Sequence, residues 1–390
     1  MTLTLLTDLD DTLISTDMDE YFPKYFHDLG AALDEIAPPE TIQKQIHFAV
    51  RQMEFNQDPG KMLSEIFAEN FYHALGTTEA DCKGLIDRYY LEEYPNLQPL
   101  IVQRPEAQAL IAWCKQQGIQ IAVATNPVFP EIATRQRIEW AGLDPEEFAY
   151  YTTYDSSHFT KPNITYYAEC LGKLGWPEGS IVMIGDDPVR DIEPMLAFGF
   201  PAFQIHTEKN GYGPDHGTLA EVVNWLKTKA AGTLPNFSVA SNLAILRSTP
   251  AVLDSWLRFL PSEVFQTKPA PDEWNLTEIY WHLADLEKQV YLPQWEQLLA
   301  DPAAQITAPD TSRWAEERDY GHKDPHEAYQ AFYRSRMASL ELLEALSAKG
   351  TLGQTVQHTV FSRTTPTEMI SFVSHHDRIH LGQCYELVNI

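Results

Sequence analysis

The stretch TLTLLTDLDDTL, residues 2–13, decides how the N-terminal part of this chain is read. Residues 2–7 form a short apolar, β-prone run, as expected of a buried strand. The run stops at Asp8, and Asp10 follows two residues on, so acidic groups sit at the carboxyl end of the strand. Residues two apart on extended backbone face the same side, which aims Asp8 and Asp10 at one pocket.

The same pattern recurs downstream. Residues 119–125 (IQIAVAT) read as a second buried strand, ending in Thr125-Asn126-Pro127. Residues 180–184 (SIVMI) read as a third, ending in Gly185-Asp186-Asp187, with Asp191 four residues after Asp187. Shorter strands are expected near 148–152 and 201–205, and helices over 105–118 and near 129–141, 162–174, 189–198 and 217–230. Strands alternating with helices imply a parallel, doubly wound α/β sheet of Rossmann-like form. In such sheets the active site lies at the carboxyl ends of the strands. Residues 16–98 break the alternation; apolar residues there recur at helical spacing, as in TIQKQIHFAVRQMEF, so an all-α segment is inserted after the first strand.

Phosphoryl transfer would account for these groups. It needs a nucleophile, a cation to neutralise phosphate oxygens and a proton donor for the leaving alcohol. A carboxylate can serve as nucleophile through an acyl phosphate. Two carboxylates repel a phosphate unless a hard divalent cation lies between, and Mg²⁺ suits all-oxygen ligands. Asp8 and Asp186 are placed to hold it from neighbouring strand ends. Asp10 would protonate the leaving oxygen and later activate water. The Thr125 hydroxyl would bind a phosphoryl oxygen, and Lys161, before a proline at a helix start, would hold the negative charges together. Asn126 is either a substrate contact or a turn residue.

These residues resemble the haloacid dehalogenase superfamily: DLDDTL its first motif, VATN its second, Lys161 its third and IGDDPVRD its fourth, in order, over about residues 1–230. The resemblance implies that Asp8 is the nucleophile and Asp10 the acid/base. It implies Mg²⁺ held by Asp8, the Asp10 carbonyl and Asp186, with Asp187 or Asp191 supporting the metal or Lys161. The insert at 16–98 looks like the family's helical cap, which would close over the site and choose the substrate. True dehalogenases of the superfamily usually lack the second aspartate of the first motif. The presence of Asp10 therefore favours phosphate esters over carbon–halogen bonds.

Residues 231–238 (AGTLPNFS) are small and turn-prone, and the domain boundary is placed there: 1–232 in front, 238–390 behind. Beyond it, 240–259, 274–300, 325–347 and 366–388 read as long helices with no strong strand, which suggests an all-α four-helix bundle. His376 and His380 fall at i, i+4 on one helix face, and His282 lies on another helix. Together they can form a facial set on one metal ion, with Gln383 placed to support them. His375 should point away, and His358 would fix the last loop or contact the metal site. Trp274, Trp281, Trp295 and Phe259 are expected to pack the core. This region resembles the DinB/YfiT-like metalloproteins through TPAVLDSWLRFLP, WHLADLE and HDRIHLGQ, over about 238–390. That likeness implies a His-triad site for Zn²⁺, Ni²⁺ or a similar ion, and some relatives are thiol-dependent transferases or isomerases.

Composition limits the partners. Lys plus Arg number 28 against 55 Asp plus Glu, a net charge of −27, which opposes general attraction to nucleic acid or anionic membranes. The four cysteines are dispersed without a CxxC pair, and reduced thiols in a cytoplasmic protein are expected. The first residues lack the basic start of a signal peptide, and no run is apolar enough to span a membrane. A small phosphorylated metabolite is the expected partner, and a homodimer is left open. The main reading is a phosphatase-type hydrolase with an accessory metal-binding bundle. The competing readings are a metal-dependent thiol transferase in the bundle with a regulatory front domain, and a metal-binding module that turns nothing over.

Overall fold

A computed structural model describes residues 3–206, 214–229, 232, 235–270 and 272–389. The chain divides into two compact units, one of residues 1–170 and 177–236, the other of residues 171–176 and 237–390. Three residues of the expected boundary, 231, 233 and 234, lie outside the described residues.

The first unit opens with β1 (Leu3–Thr7), buried at every position. A tight turn returns the chain into β2 (Ile14–Thr16), which pairs antiparallel with β3 (Ile101–Gln103). Between these two strands lies the helical insert: α1 (Met18–Ala32), α2 (Pro39–Glu54), α3 (Leu63–Phe71), α4 (Glu79–Arg88) and short π and 3₁₀ turns over 89–100. Its core is rich in tyrosine. Tyr21 and Tyr94 share a hydroxyl–hydroxyl hydrogen bond of 2.6 Å, and Tyr25 and Tyr90 one of 2.9 Å. Buried phenols need such partners, so the polar tips satisfy one another while the rings pack.

The alternating part follows: α5 (Pro105–Gln116), β4 (Gln120–Val123), α6 (Glu131–Trp140), β5 (Tyr150–Tyr151), α7 (Ile164–Lys173), β6 (Ser180–Gly185), α8 (Glu193–Phe198), β7 (Ala202–Ile205), β8 (Asp215–Gly217) and α9 (Val222–Lys229). The sheet order is β5-β4-β1-β6-β7-β8, with every pairing parallel. Central position explains the unbroken apolar reading of β1 and β6, which are covered on both faces. The expected helix from 217 is corrected: Asp215–Gly217 is an edge strand, a 3₁₀ turn covers Leu219–Glu221, and α9 starts at Val222. A three-residue polar strand has too short a pattern to register as alternation.

In the second unit the α-helices among the described residues are α10 (Val239–Phe259), α11 (Leu276–Leu286), α12 (Leu292–Ala300), the one-turn α13 (Trp314–Glu317), α14 (Pro325–Ala348) and α15 (Pro366–Val388). The expected single helix over 274–300 is broken by a π turn at Glu287–Tyr291. Pro293 follows it and has no N–H to donate to the preceding turn, which favours an irregularity there. The expectation of an all-helical region is corrected in one detail. Three short strands, β9 (Gln305–Ile306), β10 (Val356–His358) and β11 (Ser362–Thr364), form a small sheet. His358 closes its hairpin: its Nδ1 accepts from the backbone N–H groups of Val360 at 3.0 Å and Phe361 at 3.3 Å.

Trp295 is buried as expected, but Phe259, at the end of α10, is 60% exposed. No helix among the described residues is long and apolar enough to cross a membrane.

Candidate active site and metal centre

Register places the first cluster. Thr7 of β1 stands opposite Val123 of β4 and Ile184 of β6, so the residues after each strand emerge side by side. The ladder runs one step further: Asp8 N–H donates to the Ile184 carbonyl at 2.9 Å and Ala124 N–H to the Thr7 carbonyl at 2.7 Å. Asp8, Thr125 and Asp186 thereby reach one cleft of about 280 Å³, which Asp10, Lys161 and Asp191 also line.

Carboxylate oxygens of Asp8, Asp186 and Asp191 lie within 4.8 Å of one another. Lys161 Nζ donates to Asp8 Oδ1 at 2.7 Å and to Asp191 Oδ1 at 2.5 Å. Burial opposes the lysine's charge, but Asp191 and Asp8 outweigh it and move its pKa up. Burial and the charges of Asp8 and Asp191 push the Asp186 carboxyl up to about 8. Burial likewise raises Asp191, to about 7, with Lys161 opposing and Asp8 adding. One ammonium does not balance three clustered carboxylates. That donor set, all oxygen and short of positive charge, fits a hard divalent cation such as Mg²⁺. Gly185 is required for the approach: a Cβ there would lie 2.3 Å from Asp191 Oδ2.

Thr125 is buried, and its carbonyl accepts from the Thr152 hydroxyl and the Tyr166 hydroxyl, each at 2.7 Å. Asn126 has a structural use: its Oδ1 accepts from the Lys161 backbone N–H at 3.2 Å. Asp187 lines the same cleft but is not one of the three converging carboxylates. Its Oδ1 caps the next turn, accepting from Val189 N–H at 2.8 Å and Arg190 N–H at 3.0 Å.

Asp10 has a partner that the sequence reading missed. One of its oxygens forms an ion pair with Arg137 of α6, which is 2% exposed. Burial pushes the Arg137 guanidinium down to about 10, with Asp8 opposing. Asp10 Oδ1 is buried without a hydrogen-bond partner among the described residues. A signal existed, because Ala133, Thr134, Arg137 and Ile138 form the buried stripe of α6 and arginine is out of place on such a stripe. Asp11, the third aspartate of the opening stretch, serves the turn: it adopts φ 50° and accepts from Thr16 N–H at 3.0 Å. Arg104 fastens the same turn through the Asp11 and Thr12 carbonyls at 2.7 and 2.8 Å.

The second cluster lies in the bundle. His282 of α11 and His376 and His380 of α15 bring ring nitrogens within 4.8 Å. His376 Nε2 is 3.2 Å from His282 Nε2 and 3.1 Å from His380 Nε2. Burial, then the neighbouring histidines, lower His282 to about 3. Burial, then His380 and Arg336, do the same to His376, and burial lowers His380. Three neutral imidazoles turning one nitrogen to a common point fit a transition-metal ion. Gln383 Oε1 lies 2.7 Å from His380 Nδ1, and accepting its proton would leave Nε2 free to ligate. Trp274 is corrected from core to site: it precedes α11, and its ring stacks on His380 at 6.1 Å and tilts against His282 at 4.8 Å. His375 is exposed and faces Arg378.

A hydrolase is the class that this sheet and its strand-end acids define. The model of the haloacid dehalogenase-like hydrolase family matches residues 2–199, more than half of the chain, and the chain belongs to that family. The DinB superfamily model matches residues 245–384, so the chain joins the two folds. Among solved structures, a haloacid dehalogenase-family phosphatase from Thermococcus onnurineus is 18% identical, with 58% of this chain and 99% of that chain covered and a TM-score of 0.40. A 2-haloacid dehalogenase from Pseudomonas syringae is 19% identical, with 58% and 99% covered and a TM-score of 0.43. YfiT from Bacillus subtilis, a four-helix bundle of unusual topology, is 15% identical, with 48% and 93% covered and a TM-score of 0.35. No curated protein gives a significant match.

Proposed function

We propose that the front unit is a Mg²⁺-dependent phosphomonoesterase for a small phosphorylated metabolite, working through an aspartyl phosphate on Asp8. The observation that carries this is the pairing at one strand end of Asp8, held by Lys161, with Asp10, whose Oδ1 is buried without a hydrogen-bond partner among the described residues. A carbon–halogen hydrolase releases halide, which needs no proton, so it does not call for an acid at that place.

Asp8 attacks phosphorus, and the bond from phosphorus to the leaving oxygen breaks. Asp10, protonated on Oδ1 as the substrate binds, delivers that proton to the leaving oxygen, which departs as an alcohol. In the second half Asp10 takes a proton from the water that attacks phosphorus. The bond to Asp8 then breaks, releasing inorganic phosphate and restoring the carboxylate. Arg137 orients Asp10 throughout, and Lys161 neutralises Asp8 and the incoming phosphate. Mg²⁺, held by Asp8 and Asp186 with Asp191 behind them, would supply charge neutralisation at the phosphoryl oxygens.

In the bundle, we propose that His282, His376 and His380 hold a divalent ion such as Zn²⁺ or Ni²⁺, on the strength of their converging nitrogens.

The test of the front site is phosphate release from an aryl phosphate and a panel of phosphorylated metabolites, with and without Mg²⁺. Asp8→Asn should lose the Mg²⁺-dependent activity by on the order of 10³-fold or more, the scale set by loss of other nucleophiles. Full activity in folded Asp8→Asn would rule out the covalent route.

A further inference from the structure

The acid-lined cleft opens on a second space. A cavity of about 430 Å³ lies between the helical insert and the segments after β4, β5 and β6, and Phe22, Asn126, Val128, Phe129 and Arg190 line both it and the cleft. Pockets of roughly 300–1,000 Å³ hold drug-sized ligands, so this one can take an organic group well beyond the phosphate.

Its walls are apolar. Phe26, Leu29, Ile46, Val50, Phe67 and Phe71 supply much of the lining. Four phenols border it: the Tyr25 and Tyr90 hydroxyls are 2.9 Å apart and bond each other, while Tyr72 and Tyr154 also border a neighbouring cleft. The charges on the lining also face each other, Glu54 lying 3.8 Å from Arg190. His47 is drawn onto Phe26, with ring centres 4.4 Å apart. A sugar brought here would set several hydroxyls against hydrocarbon, at the cost of their hydrogen bonds to water. An alkyl or aryl group would instead leave water for a matched surface.

We infer that the substrate is a phosphate monoester of an apolar alcohol, aryl or medium-chain alkyl, with its hydrocarbon in this cavity and its phosphate at Asp8. This rests on the phosphomonoesterase reading of the same site.

The test is kcat/KM with Mg²⁺ for ethyl, butyl and hexyl phosphate, 1-naphthyl phosphate and a hexose phosphate. Each added methylene should raise kcat/KM roughly fourfold, the ordinary gain for burying one. The naphthyl ester should exceed the hexose phosphate by at least about tenfold on the same apolar-burial scale. A flat alkyl series, or preference for the hexose phosphate, overturns the inference and leaves the phosphatase reading standing. Val50→Trp, which fills the cavity, should cut the hexyl-to-ethyl ratio by about tenfold or more. An unchanged ratio in folded Val50→Trp also overturns it, and the wild-type series decides if that variant does not fold. Should no ester be hydrolysed, the phosphatase reading falls. Binding of hexylphosphonate against ethylphosphonate, read by calorimetry on the wild-type protein, then decides the cavity: tighter binding of the longer chain supports it, and equal binding removes it.

Discussion

Arg137 and Asp10 share a pocket in which neither charge is fully hydrated. The arginine is 2% exposed and the aspartate side chain 21%. Removing one partner from such a pair leaves the other charge desolvated and uncompensated, which costs more than the pair itself contributes. Arg137→Met should therefore destabilise the front unit by about 2–3 kcal/mol, scaled down from the fully buried case for the partial exposure of Asp10. The double variant Asp10→Asn/Arg137→Met should be less destabilised than the sum of the singles by about 1–3 kcal/mol. Native-state hydrogen exchange of the β1 and α6 amides reads both quantities. Additive effects would mean that the pair does not form. In the proposed mechanism the same contact would fix one oxygen of Asp10 and leave the other available for the proton.

At the scale of elements, the bundle shows how an irregularity in one helix is answered by a residue of another. Pro250 interrupts α10 and leaves the Leu246 carbonyl without its usual helical donor. Arg336 of α14 takes that carbonyl at 3.0 Å. The same guanidinium pairs with Glu287 at 2.7 and 2.9 Å and with Asp377 at 2.5 and 3.2 Å, and Thr249 donates to Asp377 at 2.7 Å. Glu287 begins the π turn and Asp377 follows His376, so one side chain joins α10, the π turn and α15 beside the histidines. Arg336→Met should cost about 3–5 kcal/mol, the penalty for stranding buried carboxylates. The loss should appear as faster amide exchange in α10 and α15. A change below about 1 kcal/mol, the scale of an exposed ion pair, would contradict this account.

At the scale of the whole molecule, one chain carries two donor sets able to hold a metal ion: a carboxylate–oxygen set at the sheet and an imidazole set in the bundle. Hard Mg²⁺ prefers the first and a borderline-soft ion the second. Protein stripped with a strong chelator and dialysed should regain phosphate release on addition of Mg²⁺ alone, while elemental analysis still finds no transition metal. Zn²⁺ or Ni²⁺ added afterwards should bind at about one ion per chain, the capacity of a single three-histidine site. His376→Ala should abolish that uptake. A requirement for transition metal in phosphate release would tie the chemistry to the bundle instead.

Much of this was legible in the chain because it is written in short range. The central strands β1 and β6 are mostly apolar apart from Thr4, Thr7 and Ser180, since a strand covered on both faces has no polar side to alternate. Asp8 and Asp186 follow those strands directly, Asp191 lies in the π turn just beyond, and the i, i+4 spacing of His376 and His380 sets them on one helical face by geometry alone. The remaining features depend on contacts between distant residues. The role of Arg137 depends on α6 packing under residue 10, and that of Asp187 on whether the next turn takes its carboxylate first. Trp274 joins the histidines only because the loop before α11 folds back. Short strands such as β8 and β9 carry too few residues to show a period, and their partners define them. The apolar cavity is the clearest case: its walls come from separate helices of the insert and from segments after β4, β5 and β6, and only their packing decides that those aromatic faces enclose a space beside Asp8 rather than fill one another.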